Sequence, residues 1–145
     1  MADVIKDRIK ELRRVPASEL LANPKNWRRH PKAQQQALQG VLAEVGFADA
    51  VLARDTPEGL ELIDGHLRQE VMGDQVIPVL VLDVSEDEAN KILLTLDPLA
   101  AMAEKDDDAV QELLKSLLLN EDTFSQVLSD VGVWKPPVVP VDDPG

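Results

Sequence analysis

A short apolar segment in the middle of the chain ends in residues suited to phosphate chemistry. Residues 60–63 are followed by Asp64, Gly65 and His66, and Arg68 comes two positions later. If the segment is a strand and His66 opens a helix, free N–H groups and the positive end of the helix dipole converge at the turn. Gly65 lets an anion approach the backbone, and Arg68 can supply a forked charge to phosphate oxygens. The pattern predicts a phosphate-binding turn.

The same side chains also have structural interpretations. A Gly-x-x-Arg turn is weak evidence alone, because Arg68 is equally suited to an ion pair with a local carboxylate. His66 fits a general base or a phosphate ligand, but its place at a helix start favours a plain polar role. Asp97 fits a magnesium ligand, yet an Asp directly before a proline is favoured as a helix cap.

Residues 23–31 are a second candidate, an irregular basic loop between two prolines. An irregular backbone with four cationic or potentially cationic side chains suits a binding loop, and Arg28 and Arg29 are the strongest of these. Trp27 fits base stacking, but a buried anchoring role is favoured in a chain with 3% aromatic residues. His30 fits a loop-packing residue better than a metal ligand.

Hydrophobic periodicity predicts the elements that position these residues. We expect a helical turn at 17–21 and a capping box in which Ser85 caps a helix whose third residue is Glu88. The acidic run 106–108 is expected to form the negative start of a further helix. Strands are predicted at 9–15, 50–54, 60–63 and 77–84, and helices at 32–45, 66–72, 86–96, 98–103, 109–119 and 121–131.

Composition indicates one ordinary domain with an aliphatic core. The 145 residues are 44% hydrophobic, so Leu, Val, Ile and Ala must fill the interior. The absence of cysteine excludes disulfides, thiolate nucleophiles and cysteine-ligated metal centres. Charges near Met1 occupy the place of a signal peptide's apolar stretch, and no segment approaches the roughly 18 apolar residues of a spanning helix. The expected compartment is the cytoplasm.

Charge is distributed unevenly along the chain. Residues 1–35 carry nine Lys/Arg against four Asp/Glu, whereas the remaining residues carry six against 23. The basic end is therefore the expected anion-binding end. Non-specific DNA affinity depends mainly on cations that neutralise phosphates, so a chain with net charge −12 is expected to bind DNA weakly or not at all by itself.

The order of basic loop, helix, hairpin, LIDGHLRQE and IPVLVLDVSEDEA resembles the N-terminal domain of the ParB/sulfiredoxin superfamily. The resemblance covers about residues 14–97 and extends towards 103. It implies an α+β fold in which helices flank a small mixed β-sheet. We expect a ParB-like domain at 1–103, a helical appendage at 104–131 and a proline-rich linker or tail at 132–145, where a fused neighbour is expected to follow.

In the partition proteins of this superfamily, the matching turn Gly-Glu-Arg-Arg binds the triphosphate of CTP. Gly65 and Arg68 match that pattern, and Arg28 or Arg29 resembles the loop arginine. His66 replaces the Glu, Leu67 replaces the first Arg, and residues 94–99 lack the Glu-Asn-x-x-Arg motif. In sulfiredoxins the turn holds a nucleophilic cysteine where this chain has His66, which excludes sulfinic-acid reduction.

The string DGHLR followed by LLTLDPLAAMA most resembles ParB-like domains of phage and mobile-element proteins, often fused upstream of DNA methyltransferases. A kinase branch of the superfamily that phosphorylates free serine has a similar Asp-Gly-His turn. Resemblance to that branch makes Asp64 and His66 candidate catalytic residues, and Glu19 is a candidate partner acid.

We therefore expect a nucleotide-binding ParB-like module that acts in DNA modification, partition or a mobile element. The alternatives are a nucleotide-dependent kinase or NTPase, and an interaction module with a vestigial pocket that recruits a methyltransferase. A nuclease is least favoured. The expected nucleotide is CTP or ATP, with or without Mg²⁺. A homodimer is one of the alternatives for the oligomeric state. Asp64 would position a metal or water, and the expected nucleotide contacts are Gly65, His66, Arg68, Arg28 and Arg29.

Overall fold

The computed structural model describes residues 4–117 and 123–132. These residues form two compact units: 4–30 with 45–104, and 31–44 with 105–117 and 123–132. The predicted tail lies outside the described residues from 133 onwards. The strands are β1 Ile9–Pro16, β2 Val51–Thr56, β3 Gly59–Asp64 and β4 Val76–Leu82, and the helices are α1 Lys32–Glu44, α2 His66–Met72, α3 Glu86–Ala101, α4 Asp107–Ser116 and α5 Thr123–Asp130.

The first unit is built on a four-stranded mixed sheet with the order β1-β4-β2-β3. β2 and β3 form the predicted antiparallel hairpin, and β1 runs antiparallel to β4. β2 and β4 pair in parallel in the centre, where the continuous apolar run of β4 is expected. The α+β fold with a small mixed sheet is thus confirmed.

Aliphatic side chains fill both layers of this unit. On one face of the sheet, Val51, Leu62 and Val79 pack with the 3₁₀ turn Ala17–Glu19 and with Leu20. On the other face, α3 packs against the sheet through a smaller cluster of Ile63, Leu82 and Ala89. The end of β3 is packed on both faces of the sheet, and this packing fixes the position of the turn that follows it.

Helix α3 begins as predicted and ends later than predicted. Ser85 Oγ accepts from the Glu88 N–H at 3.1 Å, and Glu88 accepts from the Ser85 N–H at 3.0 Å, which confirms the capping box. The expected end near Leu96 is wrong, because the helix continues through Pro98 to Ala101. A proline removes one N–H donor without removing the others in its turn. The expected capping role of Asp97 is also wrong, since Asp97 lies inside the helix.

The second unit contains α1, α4 and α5. Gly40 of α1 faces Val127 of α5, and a Cβ at Gly40 would lie only 2.3 Å from Val127 Cγ2. Helix α4 starts as predicted, with the Asp106 carboxylate accepting from the Ala109 N–H at 3.0 Å. Within the described ranges, no helix has both the length and the apolar character needed to cross a bilayer.

Candidate functional site

The turn between β3 and α2 is tightly packed around Gly65. Its φ of +108° lies in the left-handed region, where a side chain is strained. A Cβ at Gly65 would also lie 2.4 Å from Val51 Cγ1 on the neighbouring strand. The predicted strand, turn and helix are therefore present, and both the conformation and the close approach require glycine.

Arg28 of the basic loop joins three separate segments of the first unit. Its guanidinium lies 2.9 Å from Asp64 Oδ1, at the end of β3, and 2.9 Å from Asp97 Oδ2, on α3. The Arg28 side chain is 14% exposed, whereas that of Asp97 is 51% exposed. The guanidinium neutralises one carboxylate beside the turn and shares its charge with a second one at the surface.

Trp27 fastens the same loop to α3. Its indole Nε1–H donates to the Leu93 carbonyl at 3.1 Å, and the Arg28 guanidinium lies 5.4 Å from the ring centroid, within cation–π range. The expectation that Trp27 is buried is wrong, because 52% of the residue is exposed. Its polar edge anchors the loop while part of the ring stays in solvent.

The other two arginines differ in their surroundings. Arg68 forms an ion pair with Asp49 at 2.9 Å, which is the local carboxylate partner considered for it. Asp49 itself is 74% exposed. Arg29 is exposed and forms no ion pair with any residue of the described segments. The structure thus brings Arg28, Asp64, Gly65 and His66 together.

His66 is 4% exposed, and its Nε2 accepts a hydrogen bond from the Asn23 backbone N–H at 3.1 Å. A backbone N–H can only donate, so Nε2 is unprotonated and the neutral ring carries its proton on Nδ1. Burial lowers the pKa of His66, and the nearby Arg28 charge lowers it further. The ring therefore links the loop to the turn in its neutral form.

Asn23 is the site residue that sequence analysis did not single out. It is 5% exposed, and its Oδ1 accepts from the Lys25 N–H at 2.9 Å. The Asn-Pro pair at 23–24 is a signal for such a side-chain turn, but the bond to His66 comes from a backbone atom. No side-chain pattern could have predicted that bond.

Glu19 is a candidate partner acid, and the turn is a candidate metal site. Glu19 lines a separate cavity of about 240 Å³ together with Arg13 and Asp55. In the described part of the chain, no group of three or more His, Asp or Glu side chains is arranged to hold a metal ion. The two carboxylates nearest the turn, Asp64 and Asp97, are bridged by Arg28 instead.

No family model matches the sequence. A search of the curated proteins also found no match. A C-terminally truncated chromosome-partitioning protein ParB from Caulobacter crescentus, complexed with CTP-γ-S, aligns with a TM-score of 0.62 at 17% identity over 81% of this chain and 71% of its own. The same protein complexed to the centromeric parS site aligns at 17% identity with a TM-score of 0.47, over 83% and 68%.

A third solved structure, a Pnob8-like ParB-N domain, aligns with a TM-score of 0.51 at 16% identity, over 74% of this chain and 48% of its own. The mixed sheet with its flanking helices is thus an architecture already seen in other proteins. The chain has the fold of the ParB N-terminal domains.

Proposed function

We propose that this chain is a nucleotide-binding module, with the phosphates bound at the Gly65 turn. The observation that carries the proposal is that each of the two arginines next to the turn, Arg28 and Arg68, has an exposed carboxylate partner, Asp97 and Asp49 respectively. Arg68 follows the turn on α2, and Arg28 is paired to Asp64, the residue before Gly65. Both arginines therefore adjoin the turn, Arg68 through the chain and Arg28 through its contact with Asp64.

In this proposal, the binding energy comes from the two arginines, which exchange carboxylate partners for phosphate oxygens. Asp49 is the partner of Arg68, and Asp97 is one partner of Arg28. Exposed ion pairs of this kind contribute little, about 0–1 kcal/mol, so their loss costs little. A phosphate group offers several oxygens to each forked guanidinium and forms stronger, bidentate hydrogen bonds. The nucleotide then replaces one exposed carboxylate on each arginine.

The fold supports a nucleotide as the anion, because a solved protein with this fold was crystallised with CTP-γ-S. CTP and ATP are the two nucleotides that we propose, with Mg²⁺ as a companion of the phosphates. The proposed setting is partition, DNA modification or a mobile element, with a DNA-processing protein such as a methyltransferase as partner. The acidic charge of residues 36–145 favours contact with DNA through such a partner rather than directly.

Binding fits the geometry better than catalysis does. His66 has no free lone pair for a general base, because its Nε2 accepts from the Asn23 N–H, and Asp64 is already paired with Arg28 through Oδ1. A kinase or NTPase would have to break the Asn23 contact to use His66, or use an Asp64 carboxylate whose charge Arg28 already neutralises. Asp64→Ala separates the two functions, since a binding module keeps its nucleotide affinity and an enzyme loses turnover.

The direct experiment is calorimetric titration with CTP, ATP, GTP and ADP, each with and without Mg²⁺. Arg68→Ala is the test variant. Arg54→Ala is its matched control, because Arg54 is similarly buried and has one carboxylate partner, Glu61, on the hairpin. Saturable binding that is lost in Arg68→Ala and kept in Arg54→Ala supports the proposal. No binding of any nucleotide by the wild-type protein contradicts it.

A further inference from the structure

Two buried side chains beside the turn carry hydrogen-bond donors that no group in the described part of the chain accepts. Nδ1 of His66 and Nδ2 of Asn23 have almost no exposed surface and no partner among residues 4–117 and 123–132. The two residues are 4% and 5% exposed. Burial of a donor without an acceptor costs free energy, so two such atoms in neighbouring residues indicate a missing acceptor.

The identity of both donors follows from hydrogen bonds to the backbone. The Asn23 N–H donates to His66 Nε2, which leaves the ring proton on Nδ1. The Lys25 N–H donates to Asn23 Oδ1, which fixes the orientation of the amide and leaves Nδ2 as its NH₂ group. The two residues that carry these donors are therefore joined by one hydrogen bond, from the Asn23 backbone to the ring.

We propose that Nδ1–H of His66 and the side-chain amide of Asn23 donate hydrogen bonds to a phosphate oxygen of the bound nucleotide. His66 is then a neutral donor to the ligand and not its base. The inference rests on the proposed function and adds to it the atoms and the protonation state. A phosphate oxygen suits the pair because it has several lone pairs and no hydrogen of its own.

Movement of Arg28 gives the phosphate oxygen access to these atoms. His66 follows Asp64 by two positions, and Asp64 is paired with Arg28 at 2.9 Å. Arg28 is the cation that a phosphate would attract away from its exposed partner Asp97. Its side chain then follows the ligand while the Asn23–His66 contact keeps the start of the loop in place.

Substitutions at His66 separate the donor from the contact to Asn23. In His66→Gln, Oε1 can still accept from the Asn23 N–H, but the donor at the δ position is lost. In His66→Asn, the amide retains a donor near the δ position and loses the acceptor for Asn23. We expect His66→Gln to bind nucleotide about tenfold more weakly than wild type. If His66→Asn folds, we expect it to bind nucleotide more tightly than His66→Gln does.

Asn23→Asp tests the second donor with a close control. The variant keeps the backbone N–H and Oδ1, and replaces the NH₂ group by a charged oxygen. Asn26→Asp adds the same charge in the same loop and keeps the oxygen that accepts from the Arg28 N–H at 3.3 Å. We expect Asn23→Asp to weaken binding tenfold or more, and Asn26→Asp to change it by less than about threefold.

The decisive measurement combines calorimetry with ¹⁵N NMR of the imidazole groups, using the full chain and the nucleotide that wild type binds. Only two histidines are present, so His66→Gln assigns the spectrum. We expect Nδ1 of His66 to be protonated without ligand and its N–H signal to shift on saturation. Wild-type affinity in both His66→Gln and Asn23→Asp, or an unchanged Nδ1–H signal, overturns this inference alone. Absence of any wild-type binding overturns the proposed function as well.

Discussion

The guanidinium of Arg28 lies 2.9 Å from Asp64, although the two residues are 36 positions apart in the chain. The same guanidinium lies 2.9 Å from Asp97 on α3. The Arg28 side chain therefore joins the basic loop, the end of β3 and helix α3. Its removal would leave two neighbouring carboxylates without their shared cation.

We expect Arg28→Ala to lower the free energy of unfolding by about 1–3 kcal/mol, because the Arg28 side chain is largely buried and pairs with two carboxylates that are only partly exposed. Urea unfolding monitored by tryptophan fluorescence measures this change. Arg29→Ala, in the next position and exposed, is expected to change stability by less than about 0.5 kcal/mol. Equal losses in the two variants would contradict the bridging role of Arg28.

Gly65→Ala is expected to destabilise the protein by about 2–4 kcal/mol. The added Cβ meets Val51 Cγ1 at 2.4 Å, and the backbone has a φ of +108°. Val51→Ala removes the clash but not the strain, so the double variant should lose less stability than the sum of the single ones. Thermal unfolding of all three variants tests the prediction, and strict additivity would contradict it.

Gly40→Ala is expected to loosen the packing of α1 on α5. Alanine favours a helix by about 1 kcal/mol over glycine, but its Cβ would lie 2.3 Å from Val127 Cγ2. In a Val127→Ala background the space is open, so the same substitution should become stabilising. A reversal of sign between the two backgrounds, measured by circular dichroism during thermal unfolding, is the expected result.

Asp49→Asn is expected to increase nucleotide affinity by about two- to tenfold, since it releases Arg68 from its ion pair. Asp74→Asn removes the same charge from another exposed position of this unit and serves as the control. Calorimetric titration at fixed ionic strength compares the two variants. An affinity gain of equal size in both would reflect net charge rather than the release of Arg68.

Stability is expected to decrease as the pH falls below about 6.5, in part because His66 is buried in its neutral form. Its pKa in the folded protein is lowered by burial and by Arg28, so the unfolded chain binds the proton first. The contribution is complete above the unfolded pKa of about 6.5 and is lost as the pH falls towards the folded value. The pH dependence of urea unfolding between pH 7 and 5 should be shallower in His66→Gln than in wild type.

Sequence analysis predicted the turn well because its signals are local. An apolar run, a glycine and a helical pattern define the turn from β3 to α2 without any knowledge of distant residues. The ion-pair partners of the arginines could not be predicted in the same way. Arg68 meets Asp49, 19 positions earlier, and Arg28 meets Asp97 on a helix whose register depends on the whole sheet.

Two errors have a common physical origin, which is the neglect of tertiary contacts in local rules. The Asp97-Pro98 pair favours a helix end, but Asp97 lies inside α3 in an ion pair with Arg28 at 2.9 Å, and the helix continues past the one missing donor. Trp27 is expected to anchor the loop from a buried position because aromatic residues are scarce; it does anchor the loop, by donating to the Leu93 carbonyl, but 52% of it is exposed. In both places a long-range contact outweighs local preference.

The parallel pairing of β2 with β4 has a consequence for how relatives of this chain can differ. The pair needs a crossover connection, and this crossover contains β3, the Gly65 turn and α2. One inserted or deleted residue within β3 would move its buried side chains, such as Leu62, to the opposite face of the sheet, whereas the exposed turns of the crossover can absorb a change in length. The strand that leads into the Gly65 turn is therefore constrained in length, and divergence in ligand preference at the turn should come through substitutions.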